Sequence, residues 1–122
     1  MIIGIGVDIC SISRMKRAIR SEHFTKRVFH PRERDYAFSK AGPARHFAAA
    51  FAAREAFSKA SGISMYALAF QGAWIERTDS GPVLLIKDDL RHLLPAEEWK
   101  AHLSLSHDGD FSVAMVVLEA LP

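Results

Sequence analysis

Three residues in this chain have the types and surroundings of a phosphate-handling site. Asp8 interrupts the apolar run Ile2-Ile3-Gly4-Ile5-Gly6-Val7-Asp8-Ile9, and Glu55 lies in Phe51-Ala52-Ala53-Arg54-Glu55-Ala56-Phe57-Ser58-Lys59, four residues before Lys59. A run like the first reads as a largely buried strand, where a carboxylate is costly unless a cation or hydrogen bonds compensate it. Two carboxylates and a lysine suit a magnesium ion gripping a substrate that carries phosphates. Each residue also has a plainer reading. Glu55 and Lys59 match a surface pair at i, i+4, which contributes about 0.2–0.5 kcal/mol, and Asp8 matches a hydrogen-bonded structural carboxylate.

A fourth candidate lies near the other end of the chain. In Leu103-Ser104-Leu105-Ser106-His107-Asp108, alternation buries the leucines, turns the serines to the opposite face and delivers His107 to a strand end beside a turn. Asp108-Gly109-Asp110 is a turn signature and lacks the spacing of a calcium loop. Gly4 and Gly6 lack the third glycine of a dinucleotide fingerprint. His23, His30, His46, His92 and His102 show no zinc-ligand spacing. The single Cys10 cannot form an internal disulfide and reads as a small core hydrophobe.

The elements that must position these residues follow from pattern. Ile2 to Ile12 reads as a strand whose glycines at 4 and 6 admit close approach by backbone or ligand. Ser13 is the expected N-cap of a helix from Arg14 to about Glu22. Pro31 suits the first turn of a second helix running to about Lys40. After the Gly42-Pro43 break, an alanine-rich helix is predicted over roughly Ala44 to Ala60, with Gly62 as its stop. Ala48, Ala52, Glu55 and Lys59 share one face of it, within about 60°. The small residues there leave room for a ligand or another chain, and Phe47, Phe51 and Phe57 read as core. Ser64 to Gln71 fits no single element. Strands are expected at Ala73 to Thr78 and Val83 to Lys87, around a turn at Asp79-Ser80-Gly81-Pro82. Asp88 to Ala101 reads as mixed, with a short helix interrupted at Pro95. A hairpin pairs His102 to His107 with Phe111 to Glu119. Helices first and hairpins later predict an α+β fold, a mostly antiparallel sheet packed on one long helix.

At 122 residues, 49% hydrophobic and 25% charged, the chain is expected to form one globular domain over 1–122. It has no apolar run of membrane-spanning length and no signal-peptide pattern, so a cytoplasmic location without membrane contact is expected. Net charge is +2, unevenly spread. From Arg14 to Asp35 there are eight basic residues against three acidic, and the remainder has eight basic against eleven acidic. A basic stripe of this kind points to an acidic partner. A nucleic-acid module, with Phe24 and Phe29 beside the basic helix, is the competing reading, but no nucleic-acid motif is present.

Taken together and in order, the motifs resemble one family. Gly4-Ile5-Gly6-Val7-Asp8-Ile9 with Arg14 six residues after the aspartate, Phe51-x-x-Arg54-Glu55-Ala56-Phe57-Ser58-Lys59-Ala60, and Ser104-Leu105-Ser106-His107-Asp108 are similar to those of holo-acyl-carrier-protein synthase, the short bacterial type of 4′-phosphopantetheinyl transferase. The family usually has lysine in place of Arg54, a Gly-Thr-Gly-like turn in place of Ser61-Gly62-Ile63-Ser64, and a lysine between the residues that stand here as Gly81-Pro82.

The resemblance implies transfer of 4′-phosphopantetheine from coenzyme A to a serine of apo acyl carrier protein, releasing 3′,5′-ADP, in fatty acid biosynthesis. It implies Asp8 and Glu55 as magnesium ligands and Lys59 on the diphosphate. Glu55 is the first choice of base for the attacking serine and Asp8 the second. Ser58, Lys59, Gly62, Pro82 and His107 would lie along coenzyme A, with His107 also counted among the catalytic group. Arg14, and by charge and helical geometry Arg17, would dock the acidic carrier protein. A homotrimer with active sites at subunit interfaces, and no nucleic-acid partner, completes the expectation.

Overall fold

The computed structural model describes residues 1–94 and 96–122, and the expected interruption at Pro95 lies outside them. Ten-residue strands frame the fold. β1 (Ile2–Ser11) and β4 (Trp99–Asp108) flank β5 (Phe111–Ala120) in an antiparallel sheet of order β1-β5-β4. β2 (Ala73–Thr78) and β3 (Gly81–Ile86) form a separate antiparallel hairpin. The helices are α1 (Ile12–Ala18), α2 (Glu22–Val28), α3 (Pro31–Phe38), α4 (Pro43–Ser61) and the single turn α5 (Met65–Leu68). A 3₁₀ turn covers Asp88–Leu93. This is the expected α+β arrangement, with the long helix α4 packed on the three-stranded sheet. None of the described helices is long and apolar enough to cross a membrane.

α4 begins at Pro43, whose missing N–H costs nothing in a first turn, and stops at Gly62, which takes the left-handed conformation at φ 76°. Its inner surface is almost all alanine, and the strand beneath carries glycine. A Cβ on Gly6 would stand 1.9 Å from the Ala56 carbonyl oxygen, and one on Gly4 1.8 Å from that of Ala60. The glycines therefore serve the approach of β1 to α4. The expectation that the alanine face is left free for a ligand or another chain is wrong: Ala48, Ala52, Ala53 and Ala56 are fully buried within this chain.

Register shows which strand residues share a face. Across the sheet, Gly6, Val116 and Leu103 form one row, Asp8, Ala114 and Leu105 the next, and Cys10, Ser112 and His107 the third. Val116, Ala114 and Ser112 are fully buried, so these rows face α4. The intervening rows face outward. Ile5, Val7 and Ile9 are 61, 56 and 58% exposed, beside exposed Met115 and Phe111. β1 is thus not the largely buried strand its sequence implied; within one chain, Ile2, Ile5, Val7 and Ile9 face solvent, and only Ile3 and Cys10 among its apolar side chains are partly buried.

Several element boundaries also differ from expectation. Ser11, not Ser13, caps α1, its hydroxyl accepting from Arg14 N–H at 3.2 Å, and the helix ends at Ala18. α2 is a helix the sequence pattern does not predict; Ser21 caps it, accepting from Phe24 N–H at 3.2 Å. Phe47 and Phe57 are fully buried, and Phe51 is half-buried and packs against the same core from its edge.

Candidate active site

Asp8 projects from β1 toward α4, where Glu55 and Lys59 occupy successive turns. Lys59 Nζ donates to the Val7 carbonyl at 2.9 Å and to Asp8 Oδ1 at 3.2 Å. The Asp8 side chain is 21% exposed, so its compensating cation is one turn beyond Glu55 on the same helix face. Asp8 and Glu55 line a single open cavity of about 300 Å³ with Cys10, Arg14, Phe24 and Phe51 among its walls. Glu55 enters no ion pair among the described residues. Two residues 47 positions apart in sequence therefore meet at one mouth, with Arg14 of α1 at its rim. Burial, then the Asp8 carboxylate, pushes the Cys10 thiol up, which keeps it protonated and inert at neutral pH.

His107 lies elsewhere. It lines a second cavity of about 280 Å³ with Arg45, His46, Ala49, Arg77 and Pro82, at the β4 edge of the sheet. No residue lines both this cavity and the Asp8–Glu55 cavity. The Arg45 guanidinium comes within 3.4 Å of His107 Nε2 and of His46 Nε2. Burial, reinforced by Arg45, Arg77 and Lys40, holds His46 below the usual imidazole range. Sequence reasoning did not single out Arg45, His46 or Arg77. A signal was present: Arg45 sits in the first turn of α4, where the helix dipole disfavours a cation unless an anion is to be held there.

The remaining expected residues are placed as follows. The Ser58 hydroxyl donates to the Ile63 carbonyl at 2.6 Å, tying down the turn after α4. Gly62 donates its N–H to the Ser58 carbonyl at 2.9 Å. Pro82 stands in the His107 cavity, opposite Arg77 in the β2–β3 register. Arg14 and Arg17 are both exposed on α1.

Arg54, adjacent to Glu55, points the other way and is fully buried. Its guanidinium forms a two-pronged ion pair with Glu33 of α3, one prong being Nη1 to Oε2 at 2.9 Å, and Nε donates to the Phe70 carbonyl at 2.7 Å. Glu33 also accepts from His30 N–H and Ile75 N–H, each at 3.0 Å. This network fastens α3, the chain around Phe70 and β2 to the helix that carries Glu55. With a further bond from Nη1 to the Ala50 carbonyl at 2.9 Å, the forked guanidinium makes four directed contacts that a lysine ammonium would meet only as a point charge.

A family model described as the 4′-phosphopantetheinyl transferase superfamily matches residues 4–116. The chain belongs to this superfamily. Its relatives within it include holo-[acyl-carrier-protein] synthases of Geotalea daltonii, 43% identical over 98% of this chain and 99% of that protein, and of Clostridium beijerinckii, 38% identical over 99% and 100%. Among solved structures it is similar to a holo-(acyl-carrier-protein) synthase from Bacillus anthracis in complex with CoA (3′,5′-ADP), with TM-score 0.81, 34% identity and 99% of each chain covered. A Neisseria meningitidis holo-[acyl-carrier-protein] synthase superposes with TM-score 0.84 at 30% identity, over 98% of this chain and 99% of that one. The superfamily fold is thus shared end to end, including both sheet edges on which the two cavities open.

Proposed function

We propose that the chain is a magnesium-dependent holo-acyl-carrier-protein synthase of fatty acid biosynthesis, acting in the cytoplasm. It moves 4′-phosphopantetheine from coenzyme A to a serine of apo acyl carrier protein and releases 3′,5′-ADP. The observation that carries this reading is the meeting of Asp8 and Glu55 in one open cavity, with Lys59 beside Asp8.

The donor set fits magnesium. That ion is held by one or two carboxylates together with waters and substrate phosphates, not by an all-protein cage. Asp8 and Glu55 supply two carboxylates at an open mouth, and no cluster of three or more metal-binding side chains occurs among the described residues. When bound, magnesium neutralises charge on the coenzyme's diphosphate. Lys59 adds positive charge where the 3′,5′-ADP oxygen departs. The carrier serine Oγ forms a bond to the phosphorus that bears pantetheine, and the bond from that phosphorus to the ADP oxygen breaks. The Glu55 carboxylate takes the serine proton, with Asp8 the alternative base. Arg14 at the rim and Arg17 on the same helix attract the acidic carrier protein.

Arg45, Arg77 and the positive end of α4 make the His107 cavity suited to an anionic group, such as the phosphate on the coenzyme's adenosine. Arg45 and Glu55 are ten residues apart on α4, about 15 Å along its axis. Completion of one site by the His107 half of a neighbouring copy reconciles the two cavities. The outward row of Ile5, Val7 and Ile9 supports such an assembly, which we take to be a homotrimer. The single free Cys10 agrees with a reducing compartment.

The test combines the protein, apo carrier protein, coenzyme A and magnesium, and weighs the carrier by mass spectrometry. Gain of one phosphopantetheine arm is expected. An unchanged carrier mass with metal and both substrates present rejects the reading.

A further inference from the structure

The turn between β4 and β5 has a chemical feature that its turn role does not explain. Asp110 turns both carboxylate oxygens onto the start of α1. Oδ2 accepts from the Ser11 hydroxyl at 2.8 Å and from the Ser13 hydroxyl at 2.9 Å, while Oδ1 accepts from the Ser13 N–H at 2.8 Å. The Asp110 carbonyl accepts from Ile12 N–H at 2.7 Å. One turn residue therefore binds three consecutive residues almost 100 positions away in sequence. The hydrogen bonds from Ser11 and Ser13, with Arg17 adding a favourable charge, hold its carboxyl below the usual range.

α1 needs such an anchor. It has seven residues and one buried side chain, Met15. A helix that short does not hold itself together, and its packing here is thin. Its first amides would be unsatisfied without Ser11 and Asp110, and a carboxylate at this end also complements the helix dipole. Arg14 is the next residue after Ser13, and its N–H rests on the same Ser11 hydroxyl that donates to Asp110. Loosening the first turn therefore frees Arg14 along with Ser11 and Ser13. Arg14 lines the cavity that holds Asp8 and Glu55.

We propose that Asp110 is a positioning residue for carrier-protein recognition: it fixes the first turn of α1 so that Arg14 stands at the rim of the carboxylate cavity. The proposal rests on the docking role given to α1 above. Asp110 touches neither reacting group, so its loss weakens the use of the carrier protein and leaves coenzyme A binding intact.

The test uses full-length Asp110→Ala, Asp110→Asn and Arg14→Glu variants. Amide hydrogen exchange is followed over residues 12–15, and KM is measured separately for apo carrier protein and coenzyme A. Asp110→Ala is expected to speed exchange in the first turn of α1. It should raise the carrier KM roughly tenfold, on the scale of losing a cap with its charge, with the coenzyme KM unchanged. Asp110→Asn keeps an acceptor for the Ser13 amide and should fall between; it carries the test if the alanine variant does not fold. Unchanged exchange in α1, or equal increases in both KM values, overturns the inference. Faster exchange with a carrier KM that responds to Arg14→Glu but not to Asp110→Ala overturns it while sparing the docking reading. A carrier KM indifferent to both variants overturns the docking reading and the inference with it.

Discussion

Replacing Gly6 by alanine tests the contact on which the carboxylate cavity depends. The new methyl group would meet the Ala56 carbonyl oxygen at 1.9 Å, the Ala56 carbonyl carbon at 2.9 Å and the Ala60 amide nitrogen at 3.0 Å. All three are helix backbone and cannot rotate aside. Even the tightest real contact, near 3.0 Å, requires β1 and α4 to part by more than an ångström. Forcing a methyl into a closed core costs about 1–3 kcal/mol, and a clash with rigid backbone belongs at or above the top of that range. Gly6 is two residues from Asp8 and Ala56 directly follows Glu55, so the displacement falls between the two carboxylates. A shift of about 1 Å at a reacting centre lowers rate on the order of 100-fold. The assay pairs initial rates of carrier modification by mass spectrometry with urea unfolding. Gly42→Ala is the control, because nothing lies within 4 Å of a Cβ there and the backbone φ is −120°. Wild-type turnover together with a wild-type unfolding midpoint in Gly6→Ala would refute the reasoning.

Asp8→Asn and Glu55→Gln should each lower magnesium-dependent transfer by at least roughly 100-fold, since charge stabilisation worth several kcal/mol is removed, while circular dichroism stays unchanged; undiminished turnover in either variant rejects the metal site. Arg54→Met leaves Glu33 charged and buried, so unfolding stability should fall by about 3–5 kcal/mol, whereas Arg54→Lys should recover a large part of it; equal midpoints for all three proteins in urea would show that the pair does not hold α3 to α4. At the start of α3, His30 Nδ1 accepts from Arg32 N–H at 3.1 Å, and burial holds this imidazole below its usual range. The unfolded chain therefore takes up the proton first, near pH 6.5. Stability from this cap is fully present above that value, and falls as the pH drops from there through the lowered folded pKa. The expected loss is about 1 kcal/mol, the scale of a missing N-cap; a His30→Asn variant should show a flatter urea midpoint between about pH 7.5 and about pH 5, and an equally steep one would count against it.

Local chemistry made much of the fold legible. Pro43, the alanine run and Gly62 mark α4 nearly to the residue, and the Leu103-Ser104-Leu105-Ser106 alternation marks β4 and its faces. Less could be read where neighbours compete or the deciding partner is distant. Ser13 is the expected cap, yet Ser11 takes that place, and the distant Asp110 engages both. Ile5, Val7 and Ile9 look like core because hydropathy does not say whether a face is covered by the same chain. Arg54 reads as an ordinary helix charge until Glu33, 21 residues earlier, is seen beneath it. The convergence of Asp8, Glu55 and Lys59 was legible through motif resemblance and one helical turn of spacing. The separation of His107 was not, since strand order places β5 between β1 and β4.

That strand order has a genetic consequence. Damage at the Asp8 edge leaves the His107 edge of the same polypeptide whole, and the reverse. Under the proposed assembly, two separately dead alleles can rescue each other when co-expressed, because some junctions then pair the sound edge of one product with the sound edge of the other. A mutant that scores as null in isolation can thus still donate half of a working centre in a mixed population.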